Sequence, residues 1–179
     1  MMYETEPNFS PPERFKNAHI DNIAPDIVEY IRKVSETSKG LYISGDVGRG
    51  KTYAIFALMN RAQELGIYRW RAWSSAELFA DIRATFNRSK DSEDPVEKAK
   101  TAMVLIIDDL GAEKMSEWVE TQLGEIIDYR YAEMKPMIFT SNLSIDKLAE
   151  RVGDRIVSRI LGSCNIVELT GVDRRINGE

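Results

Sequence analysis

Residues 45–52 read Gly-Asp-Val-Gly-Arg-Gly-Lys-Thr, and glycines at that spacing before a lysine and a hydroxyl are the parts of a phosphate cradle. Glycines let successive backbone N–H groups point inward around an anion, and the helix that follows offers its positive end. The candidates to bind nucleotide are therefore Gly45, Asp46, Val47, Gly48, Arg49, Gly50, Lys51 and Thr52, with Tyr53 directly after them. Lys51 is placed to reach the β- and γ-phosphates, and the Thr52 hydroxyl to ligate Mg2+. A glycine-rich turn before an ordinary helix would share the glycines. Here the stretch leaves a strand and opens a helix, the context that a phosphate loop requires.

A second stretch, Val104 to Asp109, ends an apolar strand on two adjacent carboxylates. Asp108 is expected to hold Mg2+ and Asp109 to orient or deprotonate an attacking water. A plain acidic turn is the alternative for the pair taken alone. Aspartate at 109 is one methylene shorter than the glutamate many ATPases use, which points to slow or conditional turnover. Thr140, Ser141 and Asn142 close another strand. From there Asn142 either reaches the γ-phosphate or the water, or caps the next helix. Arg155 and Arg159 stand four apart, so both share one helix face. They are either a solvated face with local acids such as Asp154, or groups aimed at the γ-phosphate of a second subunit.

The elements that must position these groups alternate. Apolar runs at 40–45, 103–109, 135–142 and 164–169 read as strands, and 68–73 alternates as a strand. Helical spacing covers 51–66, 74–86, 116–134, 144–152 and 154–161, with Ser74 and Glu77 spaced as a capping box. Residues 87–100 are charged, hold a proline and read as a surface excursion. Residues 1–14 are polar with three prolines and read as an arm, leaving 15–179 as one domain. Strict β-α alternation implies a parallel sheet covered on both faces.

Composition narrows the class. The chain of 179 residues is 43% hydrophobic, enough for one core. A net charge of −5 argues against bulk coating of nucleic acid, so any polyanion is met locally. One cysteine, Cys164, and one histidine, His19, exclude a disulfide framework and a Cys/His metal cluster, as suits a reducing cytoplasm. The longest apolar run, 102–107, is far below the roughly 20 residues a bilayer needs, so no membrane span is expected.

Taken together, the stretches GDVGRGKT, VLIIDDLGAEKMSEW, IDYRYAEMKPMIFTSNL, GDRIVSRI and VELTGVDRR resemble the ATPase domain of bacterial DnaC/DnaI helicase loaders, in the AAA+ superfamily near DnaA. The resemblance runs over roughly residues 11–176. It implies an α/β P-loop NTPase fold, an AAA+ three-layer sandwich with a five-stranded parallel sheet and no C-terminal lid. It implies ATP/ADP and Mg2+ as ligands, Asn142 as sensor I, Arg159 as an arginine finger acting across a subunit interface and Arg155 as a neighbouring contact. The implied partners are a DnaB-type replicative helicase, single-stranded DNA and further copies of the chain in an ATP-dependent oligomer. In such loaders an extra helical element after the second strand binds DNA, and it maps loosely to 74–100. Trp70, Trp73, Phe79 and Phe86 fall at strand and helix spacings that suit the core better than base stacking. Arg174 and Arg175 are candidates for nucleotide or DNA contact, or a frayed basic tail. Only a short arm stands where loaders carry a helicase-gripping region. Other readings are an IstB-like transposition helper acting on duplex DNA, a nucleotide-gated module with little turnover, and a small-molecule P-loop kinase.

Overall fold

The computed structural model describes residues 2–4, 9–33, 39–85, 94–112 and 116–171. Six strands form one sheet: β1 (Tyr3–Glu4), β2 (Gly40–Ser44), β3 (Trp70–Ser74), β4 (Val104–Asp108), β5 (Met137–Ser141) and β6 (Cys164–Glu168). Their order across the sheet is β1-β3-β4-β5-β2-β6. The expected five parallel strands are all present. The sixth, β1, comes from the residues read as an arm and pairs antiparallel with β3, Tyr3 opposite Ala72. Two residues carry too little periodicity to be legible, and long-range contacts hold them. The Tyr3 ring packs edge-on against Phe56, and Glu4 pairs with Arg71 at 3.0 Å.

Seven α-helices complete the description: α1 (Pro25–Lys33), α2 (Lys51–Glu64), α3 (Ser75–Thr85), α4 (Pro95–Thr101), α5 (Glu117–Ala132), α6 (Ile145–Val152) and α7 (Asp154–Ser163). Strand side chains alternate between faces, and the core divides accordingly. Leu41, Ile43, Ile106 and Ile138 meet α1 and α2, whereas Tyr42, Leu105, Ile107 and Phe139 meet α3 to α7. The result is a three-layer sandwich. Trp70, Trp73 and Phe79 are buried, as their spacing predicts; Phe86 lies outside the described residues, as do Arg174 and Arg175.

Caps fix where helices begin. Glu77 Oε2 accepts from Ser74 N and Ser74 Oγ accepts from Glu77 N, both at 3.3 Å, the reciprocal pair of a capping box. The stretch read as a surface excursion contains α4, started by Asp94 accepting from Val96 N, with Pro95 in the first turn. Helix α4 is held to α5 by Arg130, a fully buried side chain that donates to the carbonyls of Ala99, Ala102 and Pro136 at 2.8, 3.0 and 2.7 Å. Burial draws its pKa down to about 10. Five backbone acceptors near one cation, with Lys100 and Met103 at longer range, make Arg130 a splice between α4, α5 and the start of β5.

The parallel register brings the strand ends to one edge. Ser44 pairs with Ser141 and with Glu168, and Ser74 with Asp108. In a parallel α/β sheet that carboxyl edge is where ligands bind.

Candidate nucleotide site

Residues 45–50 turn the chain from β2 into α2, and Gly45, Gly48 and Gly50 take φ of 145°, 83° and 87°. At Gly45 a side chain is excluded on two counts: the backbone angle, and an added Cβ that would stand 2.5 Å from the Leu169 carbonyl oxygen. The loop is thereby packed against the segment leaving β6. Lys51, buried at the start of α2, sends Nζ back over the loop to the Gly45 and Asp46 carbonyls at 2.7 and 2.9 Å.

The same ammonium donates to Asn142 Oδ1 at 2.6 Å, and Asn142 Nδ2 donates to Asp109 Oδ1 at 3.1 Å. Asn142 does not cap the next helix; that position is held by Ser144, whose side chain accepts from Lys147 N. One carboxamide thus ties the loop lysine to the acidic strand end. Asp109 has φ 61°, a left-handed conformation that costs a non-glycine residue energy. It is pinned on both sides, its N–H donating to Thr140 Oγ1 at 2.9 Å and its carbonyl accepting from Ser75 Oγ at 3.1 Å.

Asp108 takes hydrogen bonds from Thr52 Oγ1 at 2.9 Å and from Thr140 Oγ1. Burial, and secondarily the Asp109 charge, raise its pKa above the ordinary carboxylate value, against the lowering effect of both hydroxyls and of Lys51. A cation beside it would relieve that cost. The Thr52 hydroxyl and the Asp108 carboxylate are adjacent hard oxygens, a set suited to Mg2+, which takes one or two protein ligands and completes its octahedron with phosphate oxygens and water. No cluster of three or more His, Cys, Asp or Glu side chains exists among the described residues, so the donors do not suit a metal held by protein alone.

A cleft of about 230 Å³ opens over the loop, lined by Gly45, Asp46, Arg49, Asn142, Lys147 and Glu168 among others. Val47 is exposed at the loop tip and Gly48 is buried beneath it. Arg49 pairs with Asp46 at 3.1 Å. The Tyr53 hydroxyl accepts from His19 N and Asn22 Nδ2 at 3.1 and 3.3 Å, fastening α2 to the turn ahead of α1. Arg155 and Arg159 do not line the cleft. They face α5, where Asp128 accepts from Arg155 Nη2 at 2.5 Å and from Arg159 Nε at 3.3 Å.

The structure adds Thr140 and Lys147 to the residues around the site. Thr140 had a visible signal, a hydroxyl that with Ser141 closes an apolar strand, next to the residues singled out. Lys147 had none, because its place depends on how α6 folds back over the loop.

Comparison with known proteins decides the family. A family described as IstB-like ATP binding protein matches residues 18–178. The chain belongs to this family. The replicative helicase loader DnaI of Bacillus subtilis (strain 168) is 30% identical over 168 residues, 83% of this chain and 52% of that protein. The chain spans about half the length of the curated relatives it matches. Among solved structures, a DnaC helicase loader superposes with a TM-score of 0.78 at 26% identity, covering 89% of this chain and 100% of that one. A replication initiator DnaA bound to AMPPCP and single-stranded DNA gives 0.70 at 25% identity, over 82% of this chain and 44% of that one. The AAA+ P-loop fold of the helicase loaders is therefore the fold of this IstB-like chain.

Proposed function

We propose that the chain hydrolyses ATP to ADP and phosphate, slowly and as part of an oligomer. In this reading it uses the nucleotide state to govern binding of single-stranded DNA and of a DnaB-type replicative helicase in the cytoplasm. The observation that carries the chemistry is the Asn142 carboxamide, bonded at once to Lys51 and Asp109. It links the group that binds phosphate to the group that would handle water.

Each residue then has a defined task. Residues 45–50 wrap the phosphates with backbone N–H groups, and Lys51 neutralises charge on the β- and γ-phosphates. Thr52 and Asp108 hold Mg2+, which supplies charge neutralisation across the phosphate oxygens when bound. Asp109, fixed at φ 61° by Thr140 and Ser75, orients the water and accepts its proton, and Asn142 positions that carboxylate against the γ-phosphate. Arg159 completes the charge on the γ-phosphate of a neighbouring subunit, which makes turnover depend on assembly.

The coupling to replication rests on the likeness to the helicase loaders and to the DNA-bound initiator. A second reading is carried by the family match itself: a transposition helper of IstB type, which would hold duplex DNA. Binding of labelled single-stranded and duplex DNA, each with ATP, with ADP and with Lys51→Ala, separates them. ATP-dependent preference for single strands, together with capture of the replicative helicase, is expected. Preference for duplex without helicase capture contradicts the loader reading.

A further inference from the structure

Two arginines on one helix face invite the assumption that both meet the phosphate. Their surroundings differ. Arg155 is mostly exposed, with 78% of its side chain open, and bonds Asp128 through Nη2, a terminal nitrogen. Arg159 is half as exposed and bonds the same carboxylate through Nε, the inner nitrogen. Its guanidinium also lies 4.6 Å from the centroid of the Tyr131 ring. With Nε bonded to Asp128 and Cζ lying over the Tyr131 ring, Arg159 keeps the outer Nη edge for a further acceptor, the edge that grips phosphate in a forked contact.

The fold makes room for this arrangement. Asp128 and Tyr131 are three apart on α5, so they share a face, and that face packs on α7. Opposite Tyr131 stands Gly162, inside α7, where an added Cβ would come 3.0 Å from Tyr131 Cε2 and 3.3 Å from its hydroxyl. Glycine inside a helix weakens it. Here it lets the Tyr131 ring come close to α7, with the arginine over it.

We infer that Asp128 and Tyr131 form a mount that aims the Nη edge of Arg159 at a neighbouring subunit's γ-phosphate, with Arg155 acting as the second tether of Asp128 rather than as a second finger. Asp128 is thus a positioning residue. The inference rests on the reading that Arg159 acts between subunits. Free rotation about a long side chain would otherwise spread the guanidinium over many orientations, and holding Nε removes most of them before the partner arrives.

The test uses mixed assemblies. Arg159→Ala supplies an ATP site without a finger, and Asp109→Ala supplies a finger without a working site. Their mixture reports finger action alone. Into the Asp109→Ala donor is placed Asp128→Ala or, as the same-sized variant should alanine loosen α5 from α7, Asp128→Asn. Melting temperature and sedimentation of the mixture are measured alongside turnover. The mount predicts that kcat of the mixture drops about tenfold or more, while KM for ATP, which the acceptor's own loop sets, stays unchanged and assembly persists. Undiminished rescue by both donors overturns the mount and leaves the finger reading standing. Loss of kcat in step with loss of assembly also overturns it, because Asp128 would then act on the interface rather than on Arg159. If the parent pair itself shows no rescue, the finger reading falls, and the mount with it.

Discussion

The side-chain oxygen of Asn142 lies 2.6 Å from Nζ of Lys51, across 91 positions of sequence. Helix α2 and strand β5 meet at this contact, and the rest of the Asn142 amide continues to Asp109. Asn142→Ala removes a carboxamide that bonds both. Turnover is expected to fall about a hundredfold, the cost of deleting one preorganised polar group at a reacting centre. ATP affinity, set mainly by the loop, changes little. Steady-state kinetics with equilibrium binding of ATP would check this; equal losses in affinity and kcat would make Asn142 a structural support of the loop.

Asp108 gives a pH signature. Its raised pKa means that folding favours the protonated carboxyl, so that contribution to stability is complete below the ordinary value of about 3.9 and fades as pH rises through the higher native value. Asp108→Asn has no proton to lose. Without nucleotide, its melting temperature relative to the native chain is expected to improve as pH rises above about 4, the range in which the native carboxyl loses its proton. With ATP and Mg2+ the order should reverse, because only the native chain binds the metal. A pH-independent difference would contradict the account.

Arg130 carries the prediction on the fold. Replacing it by methionine fills space but takes the side-chain donor from the carbonyls of Ala99 and Ala102, and leaves Pro136 only the Leu105 N–H. A loss of about 3–5 kcal/mol is expected, on the order of 10 °C in melting temperature. Arg130→Lys should rescue little, since one ammonium cannot span acceptors on α4 and at the start of β5. A lysine variant as stable as the native chain would refute the splice.

Gly45→Ala should lower both stability, by about 1–3 kcal/mol, and ATP affinity. Its φ of 145° and the Leu169 carbonyl leave no room for a methyl group, so the strain falls on the loop that holds phosphate. Thermal melting and ATP titration test it together; an unchanged melting temperature would mean that the loop relaxes without cost.

Much of this was legible in the sequence for a physical reason. Buried parallel strands read as short apolar runs, and the phosphate loop is a contiguous motif whose residues need only local geometry, so Gly45 to Thr52, Asp108 and Asn142 could be found without coordinates. Helix α4, inside the stretch read as a surface excursion, was not legible: Asp94 and Pro95 form a start signal, but the charge around them obscured it. What could not be read was long-range. The two residues of β1 are held by β3 and Phe56, and Arg130 reaches carbonyls up to 31 positions away. Within the chain, the acid that Arg155 and Arg159 share is not the neighbouring Asp154 but Asp128, 27 and 31 positions upstream.

In the proposed function, ATP at the Lys51 loop is hydrolysed with help from another subunit. The most direct test is turnover per chain, measured against protein concentration with ATP and Mg2+ saturating and single-stranded DNA present, and Lys51→Ala as the inactive control. Turnover is expected to rise with concentration to a plateau, in step with assembly, and to be absent in the control. Turnover that is flat from the most dilute sample upward, or that survives in Lys51→Ala, would contradict it.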